Sequence, residues 1–198
     1  MKNALLIILT LCFTYSIAQK DTLPFNRKKE IIYDGKRYRV YNSYLSFGAG
    51  LAYSDVRSKE QRCINADFQF HLTKEYFQVG FFMSGDEFLR NTNLQGHICY
   101  GKRYEKELFN LAAFVGPSYS YFVTGSTDTS GIFRVRSHET VGGYICLQGV
   151  YKIKYDVGIG LELFADISAQ QKIAGARVIL YFSGAYRGEK RGYKPKKN

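Results

Sequence analysis

The sequence predicts an all-β fold: an eight-stranded antiparallel up-and-down transmembrane β-barrel. Three observations carry this. First, the run Tyr155–Ile167 alternates with a period of two. Tyr155, Val157, Ile159, Leu161, Leu163, Ala165 and Ile167 fall on one face, and Asp156, Gly158, Gly160, Glu162, Phe164 and Asp166 on the other. That is a β-strand with one greasy face and one small or acidic face, as expected of a wall between lipid and a polar lumen. Second, the chain holds 17 Tyr, 15 Phe and 19 Gly but 3 Pro and no Trp, a composition suited to strands. Third, short and long connections alternate along it, the habit of a membrane barrel with turns on one rim and loops on the other.

The ends have a different character. Lys2, the apolar stretch from Ala4 to Phe13 and the small residues Ser16 and Ala18 before Gln19 make residues 1–18 a signal peptide. No later apolar run is long enough for a spanning helix. Residues 19–39 hold seven Lys/Arg against three Asp/Glu, residues 187–198 six against one, and residues 40–186 fourteen against thirteen. The net charge of +11 therefore sits in two flanks: a basic polar lead-in, 19–39, and a basic C-terminal tail, 185–198. The barrel domain is 40–184. Such flanks are solvated, and they suit contact with an anionic surface. A secreted chain makes nucleic acid an unsuitable partner.

Eight segments alternate. They are Tyr41–Tyr53, Cys63–Leu72, Tyr76–Ser84, Leu94–Arg103, Phe109–Val123, Thr140–Ile153, Tyr155–Ile167 and Ile173–Ser183. Pro117 lacks a backbone donor, which predicts a bulge or a local break in the fifth. Short connections fall at Thr73–Glu75, Tyr104–Glu107 and Lys154. The largest loop, 125–137, begins flexibly with Ser, Thr and Gly, and Ile132–Arg136 alternates as if extending the sixth strand into a protruding arm. It is the expected surface for envelope protein partners. The polar face is Gly, Ser, Gln and Asn with few Lys or Glu, which favours polar-inside over the polar-outside arrangement of a soluble barrel.

The signal peptide, the Gly- and Tyr-rich alternating strands and the connection rhythm resemble the small outer-membrane β-barrel proteins of Gram-negative bacteria, in the style of the Bacteroidota. The resemblance covers about residues 1–184. It implies outer-membrane localisation, contact with outer-membrane lipid and termini on the periplasmic, short-turn rim. The sequence departs from the pattern after Tyr181 and Phe182, where a basic tail follows in place of a terminal aromatic residue.

Few constellations suggest chemistry. A hairpin centred between Ala169 and Gln170 pairs residues whose numbers sum to 339, so Glu162 faces Arg177 as a lumen ion pair. In a lumen just wide enough for side chains, that pair reads as a structural plug rather than a selectivity gate. Asp67, His71, His97 and Asp166 face the same lumen and read as a polar network, not a metal site. The mature chain's Cys63, Cys99 and Cys146 match no zinc spacing and read as small buried residues. Ser137, His138 and Glu139 are adjacent on a strand, so they point alternately to opposite faces and cannot form a triad. No phosphate loop, nucleophile elbow or zincin sequence is present. The expectation is a non-enzymatic protein, without cofactor, in a structural, adhesive or envelope-complex role. The alternatives are a soluble lipocalin-like binder and a lipid A-modifying enzyme.

Overall fold

A computed structural model describes residues 30–40, 42–56, 59–72, 75–85, 92–127 and 133–189. The expected signal peptide and most of both basic flanks lie outside these residues. Two short strands come first, β1 (Glu30–Tyr33) and β2 (Lys36–Arg39). Eight long ones follow: β3 (Tyr44–Ser54), β4 (Lys59–Leu72), β5 (Glu75–Gly85), β6 (Thr92–Glu105), β7 (Phe109–Thr127), β8 (Phe133–Lys154), β9 (Val157–Ser168) and β10 (Lys172–Ser183). A last short strand, β11 (Tyr186–Glu189), ends the described chain.

Strands β3 to β10 form a closed barrel in which every neighbour is antiparallel and β10 returns to β3. The register fixes the barrel's geometry. Following cross-strand partners from Gly158 through Tyr181, Ser46, Asp67, Gly80, His97, Ser118 and Gly142 leads back to β9 at Ser168. From Gly158 to Ser168 is a stagger of ten residues over eight strands. At ordinary strand rise and spacing, that stagger tilts the strands by about 40°.

The faces are sorted as the alternation requires. Leu161 and Leu163 are 63% and 58% exposed, and Glu162 between them is fully buried. Leu45, Phe47, Ile64, Phe68, Ile98, Val115, Ile145 and Val178 continue the exposed apolar girdle around the wall. Ser46, Gln69, Gln78, Asn93 and Gln148 point inward and are buried. A soluble barrel would put these faces the other way, so the lipocalin-like alternative falls. The barrel is membrane-spanning and of the outer-membrane kind.

Two details differ from the sequence reading, and two follow it. Residues 30–39, read as part of a lead-in, form a hairpin, and β11, read as tail, pairs with β2 to complete a three-stranded sheet outside the barrel. The missed signal is Asp34-Gly35, whose positive φ values of 49° and 69° make the two-residue turn that suits a hairpin. Tyr155 belongs to the turn before β9, not to the strand, and is buried rather than turned to lipid. Pro117 makes the expected local break rather than a bulge: the β6–β7 ladder skips from His97–Ser118 to Tyr100–Val115 and resumes in the same register. Finally, β8 begins at Phe133 and stays paired with β7 out to Thr127, the extension of the sixth strand that the alternation of residues 132–136 suggests.

Candidate functional site: a filled lumen beneath a cap

The lumen's centre is built around Arg177. Register places it opposite Glu162 on β9 and Gly50 on β3. The absence of a side chain at Gly50 leaves room for the guanidinium's stem, since a Cβ there would meet Arg177 Cβ at 2.6 Å. Arg177 Nε donates to Glu162 Oε1 at 2.8 Å, and its terminal nitrogen contacts both Glu162 Oε1 and the Tyr144 hydroxyl. Gln148 Nε2 donates to Glu162 Oε2 at 2.7 Å, so both carboxylate oxygens are engaged. The guanidinium also lies 4.2 Å from the Phe164 ring centre. Both charged side chains are fully buried.

A second group lies beside it. Asp67 on β4 and His97 on β6 are separated by a strand, yet His97 Nε2 lies 3.2 Å from Asp67 Oδ1. Gly80 on the intervening β5 is the register partner of both, and a Cβ there would stand 1.9 Å from the carboxylate and 2.3 Å from the imidazole. Glycine at this position is therefore what lets the two meet. The His97 ring stacks on Tyr144 at 4.0 Å, which links it to the Arg177 group. Asp166 accepts from Gln95 Nε2 at 2.8 Å, across the lumen from β6. His71 stands near the short-turn end of β4, where its ring packs on Tyr76. The structure thus joins Asp67 to His97 and brings Asp166 to their neighbour Gln95. His71 belongs to the rim.

Sequence reasoning missed a third group, at the short-turn rim. Lys152 Nζ donates to Glu105 Oε1 at 2.5 Å and to the Lys106 carbonyl at 3.1 Å. Arg103 reaches the same Glu105 oxygen at 3.1 Å. It also donates to Asn110 Oδ1, Asn42 Oδ1 and the Tyr181 hydroxyl at 2.8, 2.8 and 2.7 Å. The available signal was Arg103 and Lys152 on inward positions with an acid ending the same strand as Arg103.

The three-stranded sheet covers this rim group. Tyr38 of β2 packs on Tyr155 with ring centres 4.8 Å apart, and the Tyr155 ring lies 3.9 Å from Lys152 Nζ. Tyr38, Tyr155 and Ala185 form a small buried cluster, with Ile31 and Tyr33 packed against it. Burial pushes the Tyr38 hydroxyl above its ordinary value, and the nearby Asp156 carboxylate adds to that. Burial raises Tyr155 as well, helped by Glu105.

At the opposite rim, β7 and β8 outrun their neighbours. Pairing of β7 with β6 begins at Phe122, and pairing of β8 with β9 begins at Gly142, yet β7 and β8 stay paired to Thr127–Phe133. His138 in this arm stacks on Phe122, and its Nε2 lies 3.1 Å from Thr124 Oγ1. Among the described residues, no group of three or more His, Cys, Asp or Glu is placed to hold a metal ion. Cys63, Cys99 and Cys146 are buried free thiols.

No family model and no curated protein matches the chain by sequence. Solved structures match by fold. The attachment invasion locus protein Ail of Yersinia pestis superposes with a TM-score of 0.52 at 10% identity, over 74% of this chain and 98% of that one. Neisserial surface protein A superposes with a TM-score of 0.50 at 10% identity, over 71% and 96%. The shared feature is the fold, that of the small outer-membrane β-barrels.

Proposed function

We propose that this protein is a non-enzymatic outer-membrane barrel that serves attachment through its β7–β8 arm. One observation carries the reading: these two strands remain paired well beyond the rim set by β6 and β9. A rigid two-stranded arm held on a barrel presents backbone edges and side chains away from the membrane without a lumen having to open. On the arm Val135 is 61% exposed and Arg136 and Ser137 are exposed, so the arm offers apolar, cationic and hydroxyl groups together. The attachment role in Ail's name, on a similar fold, is in keeping with this.

Replacing residues 123–137 by Asn-Gly tests it, since this removes Val135, Arg136 and Ser137 with the rest of the extension. Phe122 and His138 are register partners, so a two-residue turn closes the shortened hairpin without shifting the ladder. Cells displaying the shortened protein should retain its heat-modifiable migration in gels and lose adhesion to matrix-coated surfaces. Undiminished adhesion would reject the arm as the attachment element.

A further inference from the structure

We infer that the sheet of β1, β2 and β11 is a hinged lid over the short-turn mouth of the lumen, latched by Tyr38 on Tyr155. This is independent of the attachment reading, which concerns the other rim.

The lid is a separate sheet: its hydrogen-bonded neighbours run β1-β2-β11, and no barrel strand joins it. It is tied to the barrel by two connectors, one carrying Asn42 and Ser43 and the other Gly184. The connectors are anchored at their barrel ends, by Asn42 Nδ2 donating to Ser183 Oγ at 3.0 Å, Arg103 donating to Asn42 Oδ1 at 2.8 Å and Gly184 N donating to Ser43 O at 3.4 Å, which leaves the turning to the lid side. A Cβ built at Gly184 meets nothing within 4 Å, so this connector has space to turn. The apolar contact between lid and barrel is the small cluster of Tyr38, Ala185 and Tyr155. Beside it a groove of about 630 Å³ separates Ile31 and Val40 of the lid side from Leu108 and Phe109 of the barrel. A sheet with its own hydrogen bonds, narrow connectors and a small aromatic contact, Tyr38 and more distantly Tyr33 on Tyr155, moves as a unit more readily than it unravels.

What the latch covers gives the motion a consequence. Lys152 is fully buried, held by Glu105 below and roofed by the Tyr155 ring. Tyr38 in turn roofs Tyr155. Swinging the lid away leaves a buried ammonium–carboxylate pair behind a single ring. Water and small solutes then reach the short-turn half of the lumen while the Arg177–Glu162 group still closes its centre.

Acylation of Lys152 by a small amine-reactive reagent, read by mass spectrometry on the folded protein in detergent, tests the lid. Exposed Lys106 is the internal reference. Ile31→Cys with Leu108→Cys, joined by a short thiol-specific cross-linker across the groove, pins the lid. Pinning should slow Lys152 acylation about tenfold against the same variant without cross-linker, and Tyr38→Ala should speed it about tenfold, the weight of one aromatic contact. Removal of residues 186–198 takes away β11 and should act in the same direction as Tyr38→Ala. Heat-modifiable migration reports that each variant's barrel is closed. Equal rates with and without the cross-link would show a lid that does not move. A native rate in both Tyr38→Ala and the truncated chain would show that the latch is elsewhere.

Discussion

Replacing Glu162 by Ala strands the fully buried Arg177 guanidinium among packed side chains, with the Tyr144 hydroxyl still beside it. Leaving a buried charge unpaired costs about 3–5 kcal/mol, whereas removing both charges at similar volume costs little. Glu162→Ala should therefore lower the urea midpoint of the detergent-folded barrel far more than the double change Glu162→Gln with Arg177→Met. Equal midpoints would remove the pair from the account of stability. This contact was legible in the sequence because a short turn fixes the register of β9 on β10, and parity then says which residues share the lumen. The approach of Asp67 to His97 was legible only as a shared face. It depends on Gly80 standing between them, and the longer connection between β5 and β6 leaves that register open to sequence reasoning. His71 shares their parity but not their depth, which alternation alone does not report.

At the scale of elements, the barrel strands announce themselves through long alternation, and the lid strands do not. Four-residue strands are too short for a period to show, and the basic residues around them read as solvated chain. Only Asp34-Gly35 marked the hairpin. Tyr155 was misassigned for a related reason: its parity continues that of β9, although the chain has already turned. Its burial has a pH consequence. Tyr38 and Tyr155 both have raised hydroxyl values in the closed lid, chiefly through burial, so the closed form favours the neutral phenol. A group raised by folding stabilises below its free value and loses that contribution as pH rises through the folded one. The lid should stay shut below the ordinary tyrosine value of about 10 and loosen above it. Proteolysis within residues 30–39, followed from pH 8 to 11, should accelerate above pH 10, and Tyr38→Phe with Tyr155→Phe should remove the acceleration. A rate flat across that range in the native protein would contradict the latch's chemistry.

The whole molecule unites a stagger suited to spanning a bilayer with a lumen that side chains fill. Three layers obstruct any path along its axis: the lid with Tyr38 and Tyr155, the Arg103–Glu105–Lys152 group, and the Arg177–Glu162–Tyr144 group. Ion passage through such a barrel requires charged groups to part in sequence, each leaving a partner buried and unpaired. Opening the lid alone does not suffice, since the central group lies beyond it. Purified protein in planar bilayers should accordingly show no stable conductance steps, and Tyr38→Ala should show none either, despite faster labelling of Lys152. The three lumen thiols supply a second readout. Cys63, Cys99 and Cys146 are buried within the filled lumen, so a bulky maleimide should modify them only after denaturation. Regular conductance steps from the native protein, or modification of these thiols in the folded barrel, would mean that the packed centre opens and that the protein passes solutes in addition to displaying its arm.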